Sequence, residues 1–381
     1  MTFSADELEE GARAATGLDD FGSSYYREGL DRTVDALNTE AGLNDLGRVM
    51  QHATISNALM QRLKIIDAYK AHPEIANEVV DGPIVILGLP RTGTTALGQL
   101  ISADPQFRFL RTWESQAPTP PPETATQQTD PRIAQAAEGI AMIEQMFPDF
   151  RTQINSEAEA ATECQDLMGM SFRTFHFDGV VRVPGYIEWL MGCDMRQTYT
   201  FHRDVLKLLQ WRCKPSLWNL RTPVHMFALD AFVEAYPNAK FLWSHRDPAK
   251  VLGSVCSLIA YVRSWSSDRE DPAELGAEQL EWWVEGTERA LAFRRKFGDD
   301  RFVDVSFADL QADPVNTVGR SYARLGLSFS DTARARVQDW ADGHQPGHRG
   351  THTYDLADYG LTTEQVREAF SDYLATYDAS G

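Results

Sequence analysis

The sequence has few basic residues for its length and no paired cysteine motif. Its 381 residues include 36 lysine and arginine residues against 55 aspartate and glutamate residues, which gives a formal charge of -19. A surface of that charge repels DNA, RNA and anionic membranes unless the basic residues are concentrated in one cleft, so we predict no nucleic-acid partner. The four cysteines, Cys164, Cys193, Cys213 and Cys256, form no C-x-x-C pair. Neither a zinc knuckle nor a dense disulfide framework is therefore expected.

Long hydrophobic runs are also missing. No stretch approaches the ~18 consecutive apolar residues that a membrane-spanning helix requires. The first residues, MTFSADELEEGARAA, are acidic and lack the basic and apolar segments of a secretory signal. We therefore predict a cytoplasmic protein without a membrane span, and the sequence does not fix its oligomeric state.

Apolar residues are nevertheless abundant, at 43% of the chain, and their spacing changes along it. From about residue 18 to residue 77 they recur at helical spacing, as at Ile55, Leu59 and Leu63, which predicts helices. After Val79 the pattern changes to a short apolar run that leads into a glycine-containing loop. We therefore divide the chain into a helical N-terminal region, residues 1–80, and an α/β domain, residues 81–381.

The α/β domain contains repeated strand–loop–helix units. Short apolar runs at residues 83–87, 217–220 and 241–244 each lead into a loop and then a helix, and a further strand is predicted at residues 302–305. Strands that alternate with helices pair in parallel through right-handed crossovers. The predicted fold class is α/β, with a P-loop-like parallel sheet flanked by helices.

The loop after the first strand reads GLPRTGTT, residues 88–95, and almost matches the phosphate-binding pattern G-x-x-x-x-G-K-[ST]. Gly88 and Gly93 have the required spacing, but Thr94 replaces the lysine and Arg91 lies inside the loop. The backbone N–H groups of such a loop, together with the helix N-terminus, attract an anion. An arginine instead of the lysine suits a terminal group without a γ-phosphate and without Mg²⁺, so we predict no metal site.

Three further segments accompany the loop: WE at residues 113–114, WNLRTPVH at residues 218–225 and HRDPAKVLGSV at residues 245–255. Together with GLPRTGTT they make the chain resemble the sulfotransferases that use 3′-phosphoadenosine-5′-phosphosulfate (PAPS), in their bacterial branch and with some likeness to the tyrosylprotein sulfotransferases. The resemblance extends from about residue 80 to the C-terminus. It implies an enzyme that transfers a sulfuryl group from this donor to a hydroxyl of a small-molecule acceptor.

The resemblance also implies how the donor is bound. The family's first motif surrounds the 5′-phosphosulfate and corresponds here to Arg91, Thr92, Gly93, Thr94 and Thr95. The second motif holds the 3′-phosphate with an arginine at a strand end and a serine in the following helix, which correspond to Arg246 and Ser254. Near the C-terminus, Arg349 and Gly350 are candidates for a basic loop that closes over the 3′-phosphate, with a plain surface loop as the alternative.

Transfer to a hydroxyl requires a base at the incoming oxygen and a cation at the departing phosphate oxygen. Glu114 is the predicted base, because it occupies a position where several branches of the family carry a catalytic glutamate. Arg91 is the first candidate for the cation, and Arg221, where relatives carry a lysine, is the second. His225 either contacts the acceptor or donor or is a hydrogen-bonded histidine on a helix face.

Residues 153–211 contain many apolar and aromatic residues and no nucleotide motif. If part of this region covers the acceptor, the pocket is apolar and favours a hydrophobic alcohol or phenol. Two alternatives remain open: a P-loop kinase or NTPase-like protein, and a non-catalytic nucleotide sensor. The missing loop lysine is evidence against the first, and the presence of Glu114 and Arg91 is evidence against the second.

Overall fold

The chain folds around a five-stranded parallel sheet with helices on both faces, in agreement with the predicted α/β class. The computed structural model describes residues 2–154, 156–214, 216–344 and 354–377. The strands are β1 (Ile84–Leu87), β2 (Phe107–Phe109), β3 (Leu217–Arg221), β4 (Lys240–His245) and β5 (Phe302–Ser306). Their order is β2–β3–β1–β4–β5, and each neighbouring pair is parallel.

The helices fall into an N-terminal group, the crossover helices and a C-terminal group. The N-terminal group is α1 (Ala5–Thr16), α2 (Tyr25–Thr39) and α3 (Asp45–Ala71). The helices between β1 and β5 are α4 (Thr94–Ser102), α5 (Thr112–Gln116), α6 (Pro131–Met146), α7 (Phe150–Gln153), α8 (Gln165–Gly169), α9 (His176–Val180), α10 (Pro184–Met191), α11 (Arg196–Gln210), α12 (Leu229–Ala235), α13 (Pro248–Arg263) and α14 (Pro272–Phe297). The C-terminal group is α15 (Phe307–Ala312), α16 (Pro314–Leu325), α17 (Asp331–Gly343), α18 (Thr363–Ala369) and α19 (Ser371–Thr376). Short 3₁₀ helices span Pro73–Asn77, Pro223–Ala228 and Leu356–Tyr359.

The first strand shows why the sheet is buried on both faces. All four side chains of β1 are buried, which is typical of a central parallel strand with helices above and below it. Ile84 and Ile86 pack in one hydrophobic cluster with α4, α16 and α17. Val85 and Leu87 point to the opposite face and pack in a larger cluster.

That larger cluster joins the N-terminal helices to the sheet. It includes Leu30 of α2 and Ile55 of α3 together with Val85 and Leu87 of β1. The predicted helical character of the N-terminal region is confirmed. The division into two domains at residue 80 stays a prediction, and residues on both sides of it share this one cluster.

Strand β2 is an element that the sequence analysis did not predict. It has three residues, lies at the edge of the sheet next to β3, and carries Arg108 at its centre. The Arg108 guanidinium lies 5.0 Å from the centre of the Trp218 ring, so the charged side chain still covers apolar surface. A strand this short with a central arginine gives no alternating apolar pattern, so periodicity alone does not identify it.

The register of the central strands determines which loops meet. Leu87 at the end of β1 pairs with Trp243 of β4, and Ile86 pairs with Arg221 at the end of β3. The three strands therefore end side by side, and the loops that follow them lie at one edge of the sheet. In open parallel sheets this carboxyl edge is where ligands bind.

Candidate active site

The loop after β1 approaches its neighbours so closely that its glycines are required. Gly88 has φ 136°, and a Cβ atom there would lie 2.5 Å from the Ser244 hydroxyl oxygen. Gly93 has φ 87° and is the N-cap of α4, and a Cβ atom on it would lie 2.9 Å from the Phe307 ring. Both glycines therefore allow a backbone path that other residues would block.

Arg91 lies between these glycines in a left-handed conformation, with φ 66°. This conformation costs a residue with a side chain about 1–2 kcal/mol, so surrounding contacts must stabilise it. Thr92 supplies some of them, since its hydroxyl donates to the Leu89 carbonyl oxygen (2.7 Å) and lies 2.6 Å from the Ser244 hydroxyl. The loop is thereby attached to the end of β4.

Helix α4 begins directly after the loop, at Thr94. Its N-cap is Gly93, so no side chain caps the first backbone N–H groups. Uncapped N–H groups at a helix N-terminus, together with the helix dipole, form an anion-binding position.

The second predicted motif meets the loop directly. The Arg246 Nη1 atom donates to the Arg91 carbonyl oxygen (2.9 Å), and the Arg91 Nε atom donates to the Ser254 Oγ atom (3.0 Å). Ser254 is buried on the second turn of α13, and Asp247 caps that helix by accepting from the Ala249 N–H. The structure therefore brings Arg91, Arg246 and Ser254 together, as the motif assignment predicts.

The two guanidinium groups of this site, those of Arg91 and Arg246, are close to each other. Among the described residues, neither Arg91 nor Arg246 forms an ion pair with a carboxylate. Burial lowers the pKa of Arg91, and the nearby charge of Arg246 adds to this effect. Two adjacent arginines without a carboxylate, in a protein that is strongly acidic overall, match a site for an anionic ligand.

Arg221 connects the loop to a carboxylate that the sequence analysis missed. Its Nη1 atom donates to the Thr95 hydroxyl (3.0 Å) and to the Glu163 Oε1 atom (3.3 Å). The Glu163 Oε2 atom accepts from the Thr222 hydroxyl (2.9 Å), and 30% of the Glu163 side chain is exposed. A partly exposed carboxylate is therefore linked through one guanidinium to the start of α4.

Gly98 of α4 makes room for that guanidinium. A Cβ atom on Gly98 would lie 2.8 Å from the Arg221 Cδ atom. Burial lowers the pKa of Arg221, while Glu163 opposes that shift. Arg221 remains charged at neutral pH, because an arginine does not lose its proton under these conditions.

Glu114 lies in a different environment. Its side chain is fully buried, and its Oε1 atom accepts from Arg108 Nη2 (2.8 Å) and from Gln127 Nε2 (2.8 Å). Its Oε2 atom accepts from the Arg111 backbone N–H (3.3 Å), so Glu114 also caps α5. These contacts favour a role in fixing the segment after β2 over contact with an acceptor.

His225 is also fully buried. Its Nδ1 atom lies 3.0 Å from the Tyr199 hydroxyl, and its ring packs against Phe232. Burial, with a contribution from His202, holds the pKa of His225 well below its ordinary value, so the ring is neutral. This position favours a hydrogen-bonded histidine over contact with the acceptor or donor. Arg349 and Gly350 lie outside the described residues.

An apolar cavity lies beyond the end of β3. Its walls include Val224 and Phe227 of the 3₁₀ helix after β3, and Met168 of α8. Further apolar lining residues are Phe175, Leu190, Met191 and Met195. The cavity holds about 20 Å³, and Arg173 and Arg289 also line it. None of the described helices has both the length and the apolar character that crossing a bilayer would require.

Known proteins are similar to this chain in sequence and in fold. The model of the sulfotransferase family matches residues 83–331. The crystal structure of sulfotransferase STF1 from Mycobacterium tuberculosis H37Rv is 35% identical, with a TM-score of 0.88, and the match covers 97% of this chain and 99% of that one. For sulfotransferase STF9 from Mycobacterium avium the identity is 30%, the TM-score is 0.90, and the match covers 99% of this chain and 97% of that one.

A curated relative adds an activity to this comparison. The omega-hydroxy-beta-dihydromenaquinone-9 sulfotransferase Stf3 of Mycobacterium bovis is 25% identical over 310 residues, which are 78% of this chain and 76% of that protein. The family model covers well over half of the chain, and two solved relatives match nearly all of it. The chain therefore belongs to the sulfotransferase family and is a sulfotransferase enzyme.

Proposed function

We propose that this enzyme binds PAPS across the ends of β1 and β4 and transfers its sulfuryl group to a hydroxyl of a small, apolar acceptor. The contacts among Arg91, Arg246 and Ser254 carry the proposal. Arg246 and Ser254 are 155 and 163 residues from Arg91 in the chain, yet both touch it. A single nucleotide with anionic groups at its 3′ and 5′ positions can therefore contact both motifs.

The loop and the start of α4 are assigned to the 5′-phosphosulfate. Gly93, Thr94 and Thr95 supply backbone N–H groups and hydroxyls, and Arg91 supplies a guanidinium next to them. Thr92 holds the loop through its hydrogen bonds to Leu89 and Ser244. Fixed donors of this kind stabilise charge that develops on a departing phosphate oxygen without reorganising during the reaction.

Arg246 and Ser254 are assigned to the 3′-phosphate. The Arg246 guanidinium lies 4.3 Å from the centre of the Phe307 ring, which limits its movement while its edge contacts Arg91. The Ser254 hydroxyl already accepts a hydrogen bond from Arg91, so its own proton remains available to a phosphate oxygen. The closing role of Arg349 and Gly350 stays a prediction.

Arg221 is assigned to charge stabilisation and not to proton donation. A guanidinium holds its proton too tightly to act as a general acid, but it can stabilise negative charge on an oxygen near Thr95. The hydrogen bond from Arg221 to the Thr95 hydroxyl supports this assignment. We also propose that Arg91 and Arg221 stabilise the charge that develops during sulfuryl transfer and that no metal ion takes part.

Two carboxylates, Glu114 and Glu163, are candidates for the base. Glu114 was the predicted base, yet its carboxylate is fully buried and accepts three hydrogen bonds. Glu163 also accepts three hydrogen bonds, but 30% of its side chain is exposed, and exposure is what distinguishes the two carboxylates. Arg221 links Glu163 to Thr95. A base must reach the acceptor hydroxyl, so we propose Glu163 for this role and Glu114 as a positioning residue.

An apolar acceptor is supported by the cavity after β3 and by the curated relative. Met168 and Val224 line the cavity, and they follow Glu163 and Thr222 closely in sequence. The cavity itself holds only about 20 Å³, so an acceptor would enter it only after these side chains move. Methionine side chains adapt to irregular apolar shapes, and an apolar lining favours a hydrophobic alcohol or phenol. The relative Stf3 is named for a menaquinone derivative with a terminal hydroxyl, which is also a largely apolar acceptor.

Donor binding and transfer test the proposal together. Calorimetric titration of the enzyme with adenosine 3′,5′-bisphosphate is expected to give tight binding, and titration with ATP and Mg²⁺ is expected to give weak binding. With ³⁵S-labelled PAPS, label is expected to appear on apolar alcohols or phenols such as 1-octanol and 2-naphthol. Replacing Arg91 with alanine is expected to lower kcat by about 10²–10³-fold, which is typical for loss of a charge-stabilising donor.

The proposal is wrong if ATP with Mg²⁺ binds more tightly than the bisphosphate. It is also wrong if the Arg246→Ala variant binds the bisphosphate as tightly as the unmodified enzyme. The Lys214→Ala variant, at an exposed position, is the control for loss of one positive charge.

A further inference from the structure

The end of β4 is held by a hydrogen-bonded chain that reaches the C-terminal helix. His245 is the last residue of β4 and directly precedes Arg246. Its Nδ1 atom lies 2.9 Å from the Tyr373 hydroxyl of α19, and its Nε2 atom lies 2.9 Å from the Asp304 Oδ1 atom of β5. Tyr373 and His245 are both buried, so the contact between them is shielded from water, whereas 37% of the Asp304 side chain is exposed.

The ionisation of the Asp304 carboxylate determines which atoms donate and which accept in this series of hydrogen bonds. Burial alone would raise the pKa of Asp304, but hydrogen bonds from His245 and Arg294 hold it well below its ordinary value. Asp304 is therefore ionised and accepts protons only, so the Nε2 atom of His245 carries the hydrogen. Burial lowers the pKa of His245, against the opposing effect of Asp304, so its Nδ1 atom is free to accept.

The first link joins Tyr373 to His245. The Tyr373 hydroxyl donates its proton to His245 Nδ1. The hydrogen bonds thus run from Tyr373 to His245 and from His245 to Asp304, and they hold the residue that directly precedes Arg246. We call Tyr373, His245 and Asp304 the Arg246 relay.

Other contacts hold the far end of the relay. Arg294 of α14 donates from two nitrogens to the Asp304 carboxylate, at 2.6 and 2.9 Å. It also donates to the Tyr377 hydroxyl (2.8 Å), and the Tyr377 ring stacks on His245 with centres 3.9 Å apart. Tyr377 therefore packs against the relay without forming one of its hydrogen bonds.

We propose that Tyr373 and His245 are positioning residues for 3′-phosphate recognition, because they fix the backbone from which the Arg246 side chain extends. The inference rests on the proposed assignment of Arg246 to the 3′-phosphate. It adds that α19, far along the chain, takes part in donor selection without touching the donor. A buried hydrogen-bonded chain of this kind determines one orientation when all its members are satisfied.

The test is the ratio of affinities for two nucleotides that differ only in the 3′-phosphate. The probes are adenosine 3′,5′-bisphosphate and adenosine 5′-monophosphate, titrated by calorimetry into the full chain. The Tyr373→Phe variant keeps the ring and removes the hydroxyl. It is expected to narrow the preference for the bisphosphate by about fivefold, the loss typical of one hydrogen bond, with monophosphate affinity nearly unchanged.

Three further variants distinguish an effect on the position of Arg246 from a general loss of structure. Tyr377→Phe is the matched control and is expected to keep the full preference. In the Arg246→Ala background, Tyr373→Phe is expected to have no additional effect, because it acts through Arg246. His245→Leu removes the central member of the relay, with both of its side-chain hydrogen bonds, and is expected to narrow the ratio in the same direction. It provides a second variant if Tyr373→Phe does not fold.

Each outcome decides between the two proposals. If the unmodified enzyme does not prefer the bisphosphate, the assignment of the 3′-phosphate site fails. If the preference is present and is lost in Arg246→Ala, but Tyr373→Phe behaves like Tyr377→Phe, the relay inference alone fails. It also fails if Tyr373→Phe weakens the binding of both nucleotides equally. The same holds if Tyr373→Phe still changes the ratio of affinities in the Arg246→Ala background.

Discussion

The Nε atom of Arg91 donates a hydrogen bond to the Oγ atom of Ser254 at 3.0 Å, which joins the loop after β1 to the helix after β4. The contact connects the two groups assigned to opposite ends of the donor. Binding of an anion at the assigned 3′-phosphate site is therefore expected to alter the position of Arg91 at the 5′ site, and the reverse, because Ser254 and Arg91 share one hydrogen bond.

Replacement of Ser254 by alanine removes a hydroxyl that faces both Arg91 and the assigned 3′-phosphate. Hydrogen bonds to charged groups contribute about 1.5–3 kcal/mol, so bisphosphate affinity is expected to fall by about 10–100-fold. Calorimetric titration measures this loss. Ser264→Ala, at the C-terminal end of the same helix, is the control, and equal affinities for the two variants would contradict the assignment.

The two candidate carboxylates are separated by their glutamine variants. Glu163→Gln is expected to lower kcat by about 10²–10⁴-fold with donor affinity nearly unchanged, as for loss of a general base. Glu114→Gln is expected mainly to lower the free energy of unfolding, by about 3 kcal/mol, because Arg108 would lose its buried ionic partner. Transfer assays and denaturant titration of both variants measure these effects. A larger loss of kcat in a stable Glu114→Gln variant would restore Glu114 as the base.

Two glycine-to-alanine variants test the packing of the loop. At Gly88 a Cβ atom would lie 2.5 Å from the Ser244 hydroxyl oxygen and 2.6 Å from its carbonyl oxygen, whereas at Gly139 in α6 there is no neighbour within 4 Å. Gly88→Ala is expected to destabilise the fold by about 1–3 kcal/mol and to weaken donor binding. Gly139→Ala is expected to stabilise the fold by about 0.5–1 kcal/mol. Thermal unfolding measures both, and a stable Gly88→Ala variant with normal donor affinity would contradict the described loop.

Buried histidines predict a loss of stability in acid. Burial lowers the pKa of His202 from 6.5 to about 3, and the pKa of His225 is lowered in the same direction. Between these values the unfolded chain binds a proton that the folded chain does not, so this contribution is complete above about pH 6.5 and decreases as the pH falls towards 3. At pH 5 the loss for His202 is about 2 kcal/mol.

The measurement is denaturant unfolding at pH 7.5 and pH 5, with His202→Asn as the comparison. Asparagine offers an oxygen to the Tyr236 hydroxyl, which lies 2.6 Å from His202 Nδ1, but it does not titrate. The variant is expected to lose less stability than the unmodified enzyme between the two pH values. Identical losses would show that His202 contributes nothing to the acid sensitivity.

Sequence patterns were sufficient to predict those features whose residues lie close together in the chain. The apolar run of β1, the two glycines of the loop and the capped start of α13 are each encoded within a few residues, and the structure contains all three. The meeting of Arg91 with Arg246 and Ser254 was predictable because family motifs identified both segments.

Contacts between distant residues without a motif were not predictable. Glu163 lies 58 residues from Arg221 in the sequence, in the segment ATECQD, which has no recognisable pattern. Tyr373 meets His245 across 128 residues, and only the packing of α19 beside β4 brings them together. The burial of His225 also depends on Tyr199 and Phe232, which are supplied by other parts of the chain.

The shared cluster of Leu30, Ile55, Val85 and Leu87 has a practical consequence for anyone who shortens this protein. A fragment beginning at the first strand would retain every assigned donor-binding residue while exposing to water the part of this cluster that the N-terminal helices cover. Such a fragment is expected to aggregate, because large exposed apolar patches associate with one another. The leading helices thus protect the catalytic apparatus although they contribute none of its proposed reactive groups.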